Sequence, residues 1–158
     1  IALKLLVLLV LANGAPIVAA RLAGRRWAWP VDAGLHWADG RRLLGPSKTW
    51  RGLAVGVAAA AVAGAGLGLP LWTGAVIGGL SLVGDLFSSF IKRRIGVPAS
   101  GRATGLDQIP EALVPTALLA PALGLNWTEA VAVVAAFVVV ELALSWAGYR
   151  IGLRQRPY

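Results

Sequence analysis

The chain has 158 residues, of which 58% are hydrophobic and 14% charged, and its mean hydropathy is +0.73. A soluble domain of this size carries about 25% charged residues, so the composition excludes an ordinary water-soluble fold and points to one compact membrane domain covering 1–158. The formal net charge of +8 would suit a nucleic-acid footprint, but the cations gather between apolar runs, as membrane-protein loops require, so no nucleic-acid partner is expected.

Cysteine is absent, which excludes disulfides and thiolate metal sites. Methionine is absent too, and Ile1 is therefore not expected to be the natural start. The first apolar span, 1–20, is broken by Asn13, Gly14 and Pro16, and its Val18-Ala19-Ala20 end could pass for a signal-peptidase site. The loop that follows carries Arg21, Arg25, Arg26, Arg41, Arg42, Lys48 and Arg51, and so dense a basic segment resists translocation. A retained anchor is the expectation.

The second span, 50–69, carries Gly52, Gly56, Ala60, Gly64 and Gly68 at every fourth position. Such a stripe of small residues lets another helix approach closely, and Gly74 and Gly78 of the third span, 71–91, could supply the facing surface. Only a short uncharged link containing Pro70 joins these two spans, which predicts an antiparallel hairpin. A fourth span over 109–123 and a fifth over 130–147 complete an all-α integral membrane fold of about five transmembrane helices.

Basic residues fall in the first and third loops and in the tail, and none lies in the second and fourth loops. The positive-inside rule then puts the N-terminus outside and the C-terminus in the cytoplasm. Trp72 and Trp127 fall at the expected outer interface, and Trp27, Trp29, Trp37, Trp50 and Trp146 near the inner one, as aromatic belts should.

Acids inside such spans need a reason. Asp85 lies within the third span, where a carboxylate costs about 2.5 to 3.5 kcal/mol on insertion scales. Asp85, Ser88, Ser89 and Lys92 are spaced i, i+3, i+4 and i+7, so a helix presents them on one face, suited to a metal and a phosphate. Asp107 follows a glycine-containing loop, although an aspartate there could also be only a helix N-cap. Glu111 comes just after Pro110 in a first helical turn, where an acid also favours the helix dipole. Glu141, one turn from Ser145, could serve only as an interhelical hydrogen-bonding group.

These acids gather in the half of the membrane nearer the basic loops, which predicts a polar cavity open to the cytoplasm rather than a transport path. Oxygen donors without a His or Cys cluster favour Mg²⁺. Asp85, Asp107 and Glu111 are the candidate metal ligands. The segment 45–52 combines glycine turns and hydroxyls with Lys48 and Arg51 just before a helix, which suits phosphate oxygens; Lys48, Thr49 and Arg51 are its candidate contacts. Lys92 continues the Asp85 face, while Arg93 and Arg94 could be topological anchors or, for Arg93, a further phosphate contact. In 96–105, Ser100, Arg102 and Thr104 could close over an anionic ligand.

With those residues set out, the chain resembles the CDP-archaeol synthase family, membrane cytidylyltransferases related to the bacterial phosphatidate cytidylyltransferases. The matching pieces are Asn13-Gly14 with Pro16, Pro30-Val31-Asp32 with Gly34, Asp39-Gly40-Arg41-Arg42, GPSKTWRG from Gly45, GDLFSSFIKRRIG from Gly84, and Leu106-Asp107-Gln108. The resemblance implies a cavity in which Lys48-Thr49, Asp85 and Asp107 serve nucleotide and metal. It implies transfer of a cytidylyl group from CTP to an archaeal-type or phosphatidate-like lipid phosphate, with Asp85 and Asp107 at the reaction; Lys92 joins them as a catalytic candidate from its place on the Asp85 face. The family usually has another aspartate three residues beyond the one matched by Asp107; this chain has Pro110 there and Glu111 next to it. Either Glu111 substitutes from its shifted position or a second metal is held differently.

The implied partners are CTP, Mg²⁺, the lipid phosphate and membrane lipids, with a homodimer left open, and the implied location is the cell (inner) membrane as a multi-pass protein. A small transporter or membrane scaffold remains the alternative. An intramembrane aspartyl protease is a weaker one, because Leu82 stands where the first glycine of a GxGD motif belongs.

Overall fold

A computed structural model of the chain describes residues 1–99, 101 and 103–152. Within them stand five helices: α1 (Ala2–Ala23), α2 (Trp50–Gly66), α3 (Leu71–Arg94), α4 (Ile109–Leu119) and α5 (Trp127–Arg150). Among the described residues the extended pairings are isolated bridges, Pro30 with Thr49 and His36 with Arg42, in the long loop between α1 and α2. The all-helical expectation therefore holds, and each expected span contains a helix, with bounds that differ by a few residues.

Lengths differ in an informative way. α1, α3 and α5 are long and apolar enough to cross a membrane, whereas α2 has 17 residues and α4 only 11. At 1.5 Å per residue α4 runs for about 16 Å, roughly half a hydrocarbon core. It stops at Leu119 instead of continuing to Leu123 because Pro121 and Gly124, at φ 68°, impose a turn that Leu125 N closes onto Ala120 O at 2.9 Å. α5 begins three residues earlier than expected. Asn126 and Glu129 form a capping box there, each side chain accepting the other's backbone N–H at 2.9 Å.

α3 is the central helix, packed against α1, α2 and α4. The small-residue stripe does what its spacing implies. A methyl group on Gly74 would strike Ala60 O and lie 2.9 Å from Ala61 Cα, and one on Gly78 would lie 2.7 Å from Ala60 Cβ. Gly56 serves α1 as well as α3: a Cβ there would come within 2.5 Å of Ala12 O and 2.8 Å of the Leu82 side chain. Gly74→Ala should therefore push α3 off α2 and cost about 1–3 kcal/mol. Thermal unfolding in detergent checks this, with Gly79→Ala on the same helix as the control, since a methyl group there meets nothing within 4 Å.

Away from the polar end, Leu5, Leu8, Leu9, Ile77, Ala112, Val133 and Phe137 form one buried apolar cluster. Lys4 closes that end by donating from Nζ to Leu67 O at 2.6 Å, a cation on the terminal carbonyls of α2. All seven tryptophans are exposed on the helix ends and the long loop.

Candidate active site

The 24–49 loop has little apolar core of its own, for Trp27, Trp29, Leu35 and Trp37 are all exposed. Polar bonds organise it instead. The buried Asp32 carboxylate accepts Arg42 Nε and Nη2, each at 2.9 Å, together with the backbone N–H groups of Gly34 at 3.1 Å, Leu44 at 3.1 Å and Gly45 at 3.0 Å. Burial alone would raise this carboxyl, but the Arg42 bond and the three backbone donors outweigh it and hold Asp32 well below the usual carboxylate range. Val31 N then donates to Lys48 O at 2.8 Å, and Trp50 N to Trp29 O at 3.0 Å. The loop thereby delivers Lys48 to the start of α2.

The tip of the same loop sits on the end of α3. Arg41 Nη1 donates to the carbonyls of Arg93 at 3.2 Å and Arg94 at 2.8 Å, which an α-helix leaves without intrahelical partners. Arg94 answers with bonds to Asp39 Oδ1 at 2.9 Å and Arg42 O at 2.7 Å, and its guanidinium lies 5.0 Å over the Phe90 ring.

Between these parts opens a cavity of about 550 Å³. Its walls come from the end of α1, the loop before α2, the end of α3 and the start of α4, with Glu141 contributed by α5. Lys48 Nζ lies 2.6 Å from both oxygens of Asp85. The Glu111 carboxyl stands beside Asp85, with Lys48 and Glu141 close to it. Across the cavity Lys92 Nζ pairs with Asp107 Oδ1 at 2.5 Å, while Asp107 Oδ2 accepts Ala103 N at 3.0 Å. Asp107 is not the cap of α4, since Gln108 holds that position and its own side chain accepts Gly105 N instead.

Gly84 explains how two carboxyl groups on different helices meet. A Cβ on Gly84 would collide with Pro110 O and come within 2.6 Å of Pro110 C and 2.9 Å of Glu111 N. Its bare backbone lets α4 start directly against α3, one residue from Asp85.

Six of the residues singled out from the sequence line this one cavity: Lys48, Thr49, Asp85, Lys92, Asp107 and Glu111. Thr49 also caps α2, accepting Gly52 N at 3.1 Å. Arg51 and Arg93 are not in the lining. Arg51 donates to Gly24 O at 3.0 Å and Arg26 O at 2.5 Å beyond the end of α1, and the buried Arg93 donates to Pro98 O at 2.9 Å. Both hold walls of the site by taking up backbone carbonyls.

Ser88 and Ser89, expected beside Asp85 and Lys92, are buried in the helix packing, and Ser88 Oγ donates to Asp85 O within its own helix at 2.9 Å. Arg102 and Ser100 lie outside the described residues. Asn13, Arg21, Ser47, Gln108 and Glu141 are the polar lining residues outside the expected set. Glu141 was visible as an acid in an apolar span, but Asn13 needed the fold. Its amide donates to Leu9 O at 2.9 Å and Ser81 Oγ at 2.8 Å, which leaves the carbonyl oxygen to offer the cavity.

The donor set suits a hard cation: carboxylates and an amide oxygen, without thiolate or imidazole in the lining. Among the described residues no three acidic or imidazole side chains form a ready-made cage. Mg²⁺ commonly takes one or two carboxylates and completes its shell with water and substrate phosphates. Carboxylates on two walls with lysines between them fit that mode.

Comparison with known proteins decides the family. The CarS-like family, described as CDP-archaeol synthase, matches residues 1–69 and 67–158. The chain belongs to the CDP-archaeol synthase family. The CDP-archaeol synthase of Aeropyrum pernix is 39% identical over 158 residues, covering 94% of this chain and 86% of that protein. That of Pyrobaculum calidifontis is 33% identical over 152 residues, covering 93% and 90%. A solved structure of an intramembrane enzyme for archaeal membrane lipids biosynthesis aligns with a TM-score of 0.68 at 34% identity, over 87% of this chain and 90% of that one. Membership of the CDP-archaeol synthase family makes the chain a membrane-embedded cytidylyltransferase, and the transporter, scaffold and protease alternatives fall away.

Proposed function

We propose that this chain, a single membrane-embedded domain, joins CTP to an archaeal-type ether lipid phosphate and yields a CDP-archaeol-type lipid and pyrophosphate. The observation that carries the site assignment is the meeting of Asp85 and Asp107 in one cavity, each already paired with a lysine. An oxygen of the lipid's phosphate monoester attacks the α-phosphorus of CTP. The bond from that phosphorus to the bridging oxygen of the β-phosphate breaks, and pyrophosphate leaves with the electron pair. The monoester needs no general base, because its second pKa is near 6. The residues' work is positioning and charge neutralisation.

Lys48, at the N-terminal end of α2, and Lys92 meet phosphate oxygens, and Thr49 offers its hydroxyl hydrogen beside them. One or two carboxylates among Asp85, Asp107 and Glu111 would hold Mg²⁺, which when bound would draw charge off the phosphates. Asn13 and Gln108 are further polar groups for the nucleotide. The positive-inside distribution of cations supports a cavity that opens to the cytoplasm of a cell-membrane protein.

The test incubates purified chain with labelled CTP, Mg²⁺ and a panel of ether and diacyl lipid phosphates, with and without a chelator. Labelled CDP-lipid that depends on Mg²⁺ and on the lipid phosphate is the expected result; its absence overturns the reading.

A pH profile follows from Lys48. Burial pulls its ammonium down, but Asp85, by charge and hydrogen bond, and then Glu111 and Asp107 raise it above the ordinary value of 10.5. A raised group contributes fully below its ordinary pKa and is lost only as pH climbs through the folded value. kcat/KM should thus rise through about pH 6 as the lipid phosphate loses its second proton, then stay level through about pH 9. A fall between about pH 7 and 9 contradicts the Lys48 assignment.

A further inference from the structure

We propose that Asp32 is a positioning residue for cytidylyl transfer, fixing where the Lys48 ammonium stands in the cavity; this rests on the reading above. Asp32 lies outside the cavity lining. Its influence runs through the chain that ends at Lys48.

Two of its acceptor bonds hold Leu44 N and Gly45 N, and Gly45 O in turn accepts Lys48 N at 3.3 Å. On its other side, the preceding residue Val31 donates to Lys48 O at 2.8 Å. Both backbone groups of Lys48 are therefore bonded either to Asp32's neighbour or to a residue that Asp32 holds. The Arg42 fork adds the third direction and ties the arrangement to Arg94, because Arg42 O accepts Arg94 Nη2 at 2.7 Å. One carboxylate with five bonds at 2.9–3.1 Å thus relates the backbone of Lys48 to the end of α3, the helix that carries Asp85 and Lys92. Trp27, Trp29, Leu35 and Trp37 are exposed and Val31, Leu43 and Leu44 only half-buried, so packing restrains the loop less than these bonds do.

Arginine and three backbone donors around one carboxylate restrain the segment that carries Lys48, where an error of about 1 Å would part its ammonium from a bound phosphate. Asparagine at this position keeps the shape but can no longer accept all five bonds, because one oxygen becomes an NH₂ donor. With the NH₂ in place of Oδ2 it faces Arg42 Nε, Leu44 N and Gly45 N with a donor; in place of Oδ1 it faces Arg42 Nη2 and Gly34 N with one.

The test measures both Michaelis constants on the full-length protein. Asp32→Asn should raise KM for CTP about tenfold, the scale of a charged hydrogen bond, and leave KM for the lipid phosphate within about twofold. In a Lys48→Met background the same change should add less than about twofold to the CTP dissociation constant measured by calorimetry, because the group being positioned is gone. A purely structural role lowers kcat in proportion to the folded fraction with both KM values unchanged, and that result overturns the proposal. So does full additivity with Lys48→Met.

If the wild-type protein makes no CDP-lipid, the functional reading fails separately. Hydrogen exchange then still decides the placement. Asp32→Asn should speed exchange across 43–50 at least about tenfold while α1, α3 and α5 are unchanged, and unaltered exchange across 43–50 overturns it.

Discussion

Asp85→Asn is expected to abolish CDP-lipid formation, by about 10³-fold or more, while the protein stays folded and inserted. The substitution keeps the side chain's shape and one acceptor for Lys48, so the α3 backbone has no cause to move. What it removes is the negative charge that holds Lys48 by both oxygens at 2.6 Å and that would bind the cation. Glu111 stands close enough to offer Lys48 another carboxylate, which protects folding without restoring the geometry. Turnover of labelled CTP, read beside gel filtration and far-UV circular dichroism, separates chemistry from collapse. Normal CDP-lipid formation by the variant would sink the assignment of the site.

Gly84→Ala should be nearly as damaging for a different reason. The added methyl group has no room against Pro110 O, and the obstruction is backbone, which cannot rotate away. The start of α4 must shift, carrying Glu111 away from Asp85 and disturbing Asp107 and Gln108 just before it. Overpacking of this kind costs about 1–3 kcal/mol, and a displacement near 1 Å in an active site costs about 10²-fold in rate. The expected result is a lowered melting temperature together with a loss of kcat larger than the unfolded fraction explains. Full activity at unchanged stability would mean that α3 and α4 do not meet at Gly84.

These cases also show what a linear reading could reach. Apolar runs marked every helix, and within the four-residue recurrence Gly56, Ala60 and Gly64 named the α2–α3 contact, because those patterns are local and periodic, while Gly52 turned to α1 and Gly68 met nothing. Asp85, Asp107 and Lys48 stood out because a charge in or beside hydrocarbon requires a reason. The fate of the arginines was not legible. Arg51 and Arg93 look like phosphate contacts when counted along the chain, but Arg51 donates to carbonyls beyond the end of α1 that only the fold brings within reach, and Arg93 to a carbonyl of the loop just after its own helix. Asn13 was hidden for a similar reason. It showed only as a polar break in the first apolar span and as part of a matching motif, and its partner Ser81 is 68 positions away, so its place at the cavity came from the fold. The length of α4 was misjudged because apolar residues continue past Leu119, while Pro121 and Gly124 end the helix.

The two lysine–aspartate pairs bear on how ligands come and go. The cavity lining sets Asp85, Asp107, Glu111 and Glu141 against Arg21, Lys48 and Lys92, so opposite charges nearly cancel. A polyanionic nucleotide entering by itself would upset that balance in a low-dielectric surrounding; entering with a divalent cation, it would bring about half the charge. Pyrophosphate would depart as its metal complex, and each lysine would return to its own aspartate as the chamber empties, resetting the enzyme for the next nucleotide.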